Sequence, residues 1–233
     1  MAVVMRVDKY LATVTDLSRA EAKKRLKASA VTVDGVVVTN PATAIAATAA
    51  VALDGIPLRT ATPRYFMLHK PPGYISATKD RRHSTVLDLL DEDNLERLHI
   101  AGRLDIDTTG LLLITDDGQW SHRVTSPNSG CRKTYYLETE EAIGAAAVAT
   151  IERGILLDNE KRPTKPATME LIDTHRARLT ISEGKYHQVK RMLAAVGNHI
   201  NTLHRERIGD IVLDATLMPG EYRRLTTAEI NSL

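Results

Sequence analysis

One cysteine, one phenylalanine and one tryptophan occur in 233 residues. The lone Cys131 excludes an internal disulfide framework and fits a reducing compartment. No histidine stands beside it in sequence, so it reads as an incidental thiol. With Phe and Trp so scarce, Leu, Val, Ile and Ala must fill a core for which 43% hydrophobic content is ample. No stretch approaches the roughly 20 apolar residues that span a bilayer. The start, Met1 to Arg6, lacks the apolar segment of a secretory signal. A cytoplasmic protein with no membrane partner is expected. The chain also has no Walker A loop, no Gly-x-Gly-x-x-Gly, and no paired Cys-x-x-Cys or His-x-x-x-His arrangement. Neither a metal nor an organic cofactor is therefore expected.

The net charge of +2 does not announce a nucleic-acid partner, but its distribution is uneven. Residues 1–62 hold eight Lys or Arg against five acids, and the remainder 23 against 24. Within that basic start, Val7, Tyr10, Leu11 and Val14 recur at the spacing of one buried helix face. Ser18-Arg19-Ala20-Glu21 then reads as a capping box opening a second helix. That helix carries Arg19, Lys23 and Lys27 at i, i+4 steps, with Lys24 and Arg25 alongside. Asp34-Gly35, set between Val31–Val33 and Val36–Val38, is a strong hairpin signal. Thr60 to Pro63 reads as a linker.

Beyond the linker, strand-like and helical segments alternate irregularly, which suggests an α+β body around a mainly antiparallel sheet. Lys133 to Thr139 and Ala177 to Ile181 read as strands, and the Ala-rich stretch from Glu140 to Ile151 as a helix. Val189, Met192, Leu193 and Val196 mark another helix face, ended by Gly197-Asn198. Asp116-Asp117-Gly118 reads as a turn after a buried strand at Leu111 to Ile114. Lys70-Pro71-Pro72-Gly73 reads as a rigid turn whose lysine could face RNA. No exposed apolar stripe is evident, so a monomer is expected.

The most informative stretch runs from Ala101 to Thr115. It places Arg103 and Asp105 in a polar loop just outside a buried strand, where a rigid sheet can hold a catalytic carboxylate at the surface. Gly102-Arg103-Leu104-Asp105 resembles the signature loop of pseudouridine synthases, in the branch acting on small-subunit ribosomal RNA. The resemblance extends through Tyr65 to Gly73, Thr115 to Gly118 and Lys133-Thr134-Tyr135. It continues through Glu183 to Met192 and Leu203 to Gly209, and so covers nearly all of residues 64–225. The helix-helix-hairpin start with its basic face similarly resembles an S4 RNA-binding domain. The implied organisation is a small S4-like α/β module over residues 1–60 and a pseudouridine synthase catalytic domain over residues 61–233.

This resemblance implies isomerisation of a specific uridine in 16S ribosomal RNA, with an assembling small subunit as the expected partner, and without a cofactor. Asp105 would be the catalytic aspartate, serving by covalent attack or by deprotonating a ribose intermediate. Lys190 would be its cationic partner, where many relatives carry arginine and its two-pronged guanidinium. Tyr135 would stack on the base and offer a hydroxyl for proton transfer, Leu203 would wall the uracil, and Arg103 would contact phosphate or the flipped nucleotide. Arg6, Arg19, Lys23, Lys24 and Lys27 would bind RNA phosphates. Three other readings stay open. They are a large-subunit (23S) synthase, a non-catalytic S4-type ribosome-assembly protein, and a glycoside hydrolase using Asp105 with Asp107.

Overall fold

A computed structural model describes residues 4–46, 48–58 and 62–233. Thr60 and Ala61 of the expected linker lie outside the described residues. The chain divides into two compact units, Met1–Thr62 and Pro63–Leu233.

The first unit runs β1 (Val4–Arg6), α1 (Val7–Val14), α2 (Arg19–Lys27), β2 (Val31–Val33), β3 (Val36–Val37), β4 (Ala44–Ala46), β5 (Val51–Leu53) and β6 (Ile56–Leu58). The capping box forms as the sequence predicts: the Ser18 side chain accepts from the Glu21 amide and Glu21 reaches back to the Ser18 backbone. Asp34-Gly35 turns β2 into β3, and Asp54-Gly55 turns β5 into β6, with positive φ at both residues of each pair. Such two-residue turns require that conformation, which Asp and Gly tolerate. Val7, Leu11, Ala22, Leu26 and Val31 are fully buried and join the two helices to the sheet β3-β2-β5-β6.

The second unit contains β7 (Tyr65–Lys70), β8 (His99–Ala101), β9 (Thr109–Thr115), α3 (Gly118–Thr125), β10 (Lys133–Thr139), α4 (Ala145–Arg153), β11 (Thr168–Leu171) and β12 (Arg176–Ile181). It continues with α5 (Gln188–Ala195), β13 (Ile200–Ile208), β14 (Ile211–Val212), β15 (Tyr222–Arg224) and α6 (Thr227–Asn231). Nine strands form one sheet with the order β11-β12-β10-β13-β9-β7-β15, β14 pairing with β13 and β8 with β9. All its pairings are antiparallel except β13 with β9. The architecture is α+β, as read from the sequence.

The run Leu111 to Ile114 is apolar throughout because β9 is buried on both faces. Leu112 and Ile114 join Phe66 and Leu68 in one buried cluster, while Leu111 and Leu113 join Met67, Trp120 and Val124 in a second on the face that carries α3. Asp117 starts α3 by accepting from the amides of Gln119 and Trp120, so the expected turn is also a helix cap. No helix among the described residues is long and apolar enough to cross a membrane.

The helix read from Glu140 to Ile151 instead begins at Ala145. The preceding amides have other partners: Glu140 donates to the His199 carbonyl, Glu141 to Asn198 Oδ1 and Ile143 to the Thr174 carbonyl. These bonds hold residues 140–143 just past the end of β10, between the starts of β12 and β13, against their helical propensity.

Where β9 and β13 run parallel, Gly110 lies opposite Arg205. Its φ is +104°, and a Cβ added there would fall 2.3 Å from the Arg205 carbonyl oxygen. Only glycine permits this approach, which sets Arg205 beneath the loop that precedes β9.

Candidate active site

The polar loop from Gly102 to Thr108 crosses the mouth of a cleft of about 720 Å³, lined among others by Arg103, Asp105, Tyr135, Lys190 and Leu203. All five residues proposed from the sequence for the body of the protein therefore meet in one cavity. Arg103 is exposed at its rim, whereas Tyr135 and Leu203 are 8% and 7% exposed on β10 and β13. Tyr135 reaches the wall because inward and outward side chains alternate along its strand, in the burial pattern of β10.

Three buried side chains hold the loop in place of ladder hydrogen bonds. Arg205, 2% exposed, donates through Nη2 to the Gly102 carbonyl at 2.8 Å, through Nη1 to the Arg103 carbonyl at 3.4 Å and through Nε to the Leu111 carbonyl at 2.8 Å. Ser76 Oγ donates to the Leu104 carbonyl at 2.8 Å and accepts from the Leu104 amide at 3.0 Å. Lys70, fully buried, donates to the carbonyls of Pro71, Ile106 and Thr108 at 3.0, 3.2 and 2.9 Å. The Asp105 carbonyl accepts from Thr108 and that of Ile106 also accepts from Gly73. Backbone acceptors withdrawn from water need such partners, and once they have them the loop is rigid.

Lys70 thus corrects an expectation: its ammonium points inward and does not face RNA. As the buried last residue of β7, it serves the loop. Burial pulls its pKa down from 10.5 to about 8, although Asp107 and Asp105 favour the charged form.

Asp105 leaves this scaffold into the cleft with its side chain 27% exposed. His187 Nε2 lies 3.3 Å from its Oδ1 and Lys190 Nζ 3.6 Å from its Oδ2. Lys190 is closer to Asp107, at 2.5 Å from Oδ1 and 2.7 Å from Oδ2. That hydrogen bond holds the Asp107 carboxyl below its usual range. The lysine is shared between two carboxylates, so the paired acids are separated by a cation instead of facing one bond to be hydrolysed. Tyr135 Oη accepts from Arg205 Nη1 at 3.4 Å, which leaves the phenolic proton available to the cleft.

Sequence reasoning passed over Arg205, Ser76, His187 and the structural duty of Lys70. A lysine ending an apolar strand beside Pro-Pro-Gly was a usable signal for Lys70. Arg205 gave none, since its place depends on the pairing of Tyr135 with Arg205 across two strands.

In the first unit Asp8, fully buried at its carboxylate, binds both Arg6 and Arg19 at 3.0 and 3.2 Å. These arginines therefore brace the helix pair, each about half exposed. Lys23, Lys24 and Lys27 are exposed on α2. Among the described residues, no group of three or more His, Cys, Asp or Glu is arranged to hold a metal ion.

A mainly antiparallel sheet cradling a carboxylate loop, joined to a small basic module, is the organisation of an RNA-modifying isomerase. The profile of the RNA pseudouridylate synthase family matches residues 64–195 and that of the S4 domain residues 5–49. The chain belongs to the RNA pseudouridylate synthase family, with an S4 domain at its N-terminal end. It is 55% identical over 230 residues to the ribosomal small subunit pseudouridine synthase A of Salmonella typhimurium, an alignment covering 98% of this chain and 100% of the relative. The protein of the same name from Vibrio cholerae is 52% identical over 229 residues, with 98% and 99% covered. A solved structure, described as a crystal structure of pseudouridylate synthase, shares 45% identity and a TM-score of 0.72, with coverage of 98% and 99%.

Proposed function

We propose that this chain isomerises one uridine of 16S ribosomal RNA to pseudouridine in the cytoplasm, acting as a monomer on an assembling small subunit. Asp105 is the catalytic carboxylate. The observation that carries this reading is its place: a rigid loop aims it into a cleft where a lysine, a histidine and a tyrosine converge. Identity to small-subunit synthases over 98% of the chain supports the choice of RNA.

The reaction breaks the N-glycosidic bond, turns the uracil and joins its carbon five to the ribose. The carbon-five hydrogen leaves as a proton, and no electron or group donor enters. An ionised Asp105 serves it by covalent attack or by deprotonating the ribose toward a glycal, and Lys190 favours the charged carboxylate. Leu203 walls the flipped base, while Tyr135 stacks on it and presents its hydroxyl for proton exchange, in which the proton lost from carbon five is balanced by one gained at the freed ring nitrogen. Arg103 takes a neighbouring phosphate. Residues 1–60 add phosphate contacts through Lys23, Lys24 and Lys27, with Arg6 and Arg19 beside them, and residues 61–233 carry out the chemistry.

The test is tritium release from RNA labelled at uracil carbon five, on 16S and 23S RNA and on assembling small subunits. Wild-type protein is expected to release label from the small-subunit substrate only, and folded Asp105→Ala to release none. Release from 23S RNA alone would reassign the target. Release by both proteins would remove Asp105 from the reaction.

A further inference from the structure

Tyr186 stands out in a chain with only 4% aromatic residues. It is the most exposed large apolar side chain among the described residues, at 74%. Its ring nonetheless has a fixed direction. It lies on the His187 imidazole with centroids 3.8 Å apart and planes 20° from parallel. His187 in turn has φ +45° and ψ 37°, a left-handed conformation that is uncommon for a residue with a Cβ, although His adopts it more readily than most. The far end of that imidazole meets Asp105, 3.3 Å from Oδ1.

The segment beneath the pair is braced from several sides. Gln188 accepts from the Lys185 amide and donates to Glu183, both within 3.1 Å. Arg191 donates to the Tyr186 carbonyl at 3.0 Å, and Arg191 and Lys185 converge on Glu160. None of these contacts uses the tyrosine ring. An ordinary exposed loop tyrosine needs neither the stacked neighbour nor the buttress. Here one aromatic face is held by His187, the other faces solvent, and both residues line the cleft that contains Asp105.

The ligand follows from the chemistry around it. A uridine turned out of its strand toward Tyr135 loses its neighbours, and the adjacent base loses a stacking partner. A flat, open aromatic face at the rim replaces that partner, with exposed Arg103 available for the connecting phosphate. We propose that Tyr186, stacked on His187, is a platform for the unpaired nucleobase next to the target uridine. This subsite rests on the reading of the cleft as the uridine site. It selects RNA by backbone path and by the breadth of the stacked base, so a purine fits it best.

Two measurements test the platform. In tritium release, Tyr186→Leu is expected to raise KM about 10-fold, the size of one lost stack, while kcat falls by less than KM rises. Tyr186→Phe, which keeps the ring, restores KM toward the wild-type value. The second measurement needs no turnover. Asp105→Asn protein is mixed with small-subunit RNA fragments carrying 2-aminopurine on one side or the other of the uridine. Quenching at either position that disappears with Tyr186→Leu in the same background supports the platform. Unchanged KM, or no quenching at either position, overturns it. Quenching together with a silent wild-type release assay would sink the catalytic reading while supporting the stacking site.

Discussion

Arg205 donates to the Tyr135 hydroxyl at 3.4 Å, although 70 residues separate them in the chain. The two are register partners on β10 and β13, and the same guanidinium holds Gly102 and Arg103 of the Asp105 loop. One buried cation therefore sets the relative position of a carboxylate and a phenol that come from different elements.

Replacing Arg205 should accordingly damage stability and chemistry together. Arg205→Met leaves the carbonyls of Gly102, Arg103 and Leu111 without this donor, at a cost of about 3 kcal/mol or more. Arg205→Lys cannot span the same acceptors with one ammonium and should recover only part of that loss. Denaturant midpoints measure the first effect, and kcat in tritium release measures the second. A wild-type midpoint for Arg205→Met would show that the loop does not depend on this fork.

Lys70 gives a pH signature. Its pKa is about 8 when folded and 10.5 when unfolded, so between those values the unfolded chain binds more protons. Stability therefore rises with pH across that window, by about 3 kcal/mol for a shift of this size. Below pH 8 the buried charge opposes folding in full. Denaturation series from pH 7 to 10.5 should show a steeper rise in wild-type protein than in Lys70→Met, where the slope from this group is gone.

The shared ammonium of Lys190 makes a further distinction. Lys190→Met removes the cation from both Asp105 and Asp107 and should lower kcat about 10- to 100-fold, the scale of one charge-assisted contact. Asp107→Asn keeps the cation beside Asp105 and should cost much less. Equal losses in the two variants would assign the activity to the Lys190–Asp107 pair itself.

On α2, Lys23, Lys24 and Lys27 are exposed, whereas Arg19 is tied to Asp8. Changing the three lysines to alanine should weaken RNA binding similarly for different sequences. The log–log dependence of affinity on salt should flatten by about 2 to 3, as expected when three phosphate contacts are lost. An unchanged slope would place the RNA elsewhere on the protein.

Local signals made much of this molecule legible. The Ser18–Glu21 cap, the Asp34-Gly35 turn and the unbroken apolar run of β9 each follow from neighbours in the chain. Resemblance assigns Asp105, Tyr135, Lys190 and Leu203 to one site, and all four line one cleft. What remained hidden depends on partners distant in sequence. The starts of β12 and β13 claim residues 140–143 from a helical composition, and strand register pairs Arg205 with Tyr135. Lys70 ends an apolar strand beside Pro-Pro-Gly, a hint of burial, but two of its three carbonyl partners, Ile106 and Thr108, lie 36 and 38 residues away in the chain.

The Asp105 loop is fastened through its main chain, by side chains that arrive from outside it. Its own exposed side chains at positions 103 and 106 carry none of that fastening, whereas Asp107 ties the loop to Lys190. Evolution, or a designer, could rewrite positions 103 and 106 to greet a different RNA contour while the Asp105 carboxylate stays where it is. The anchoring separates what the enzyme does from where it does it.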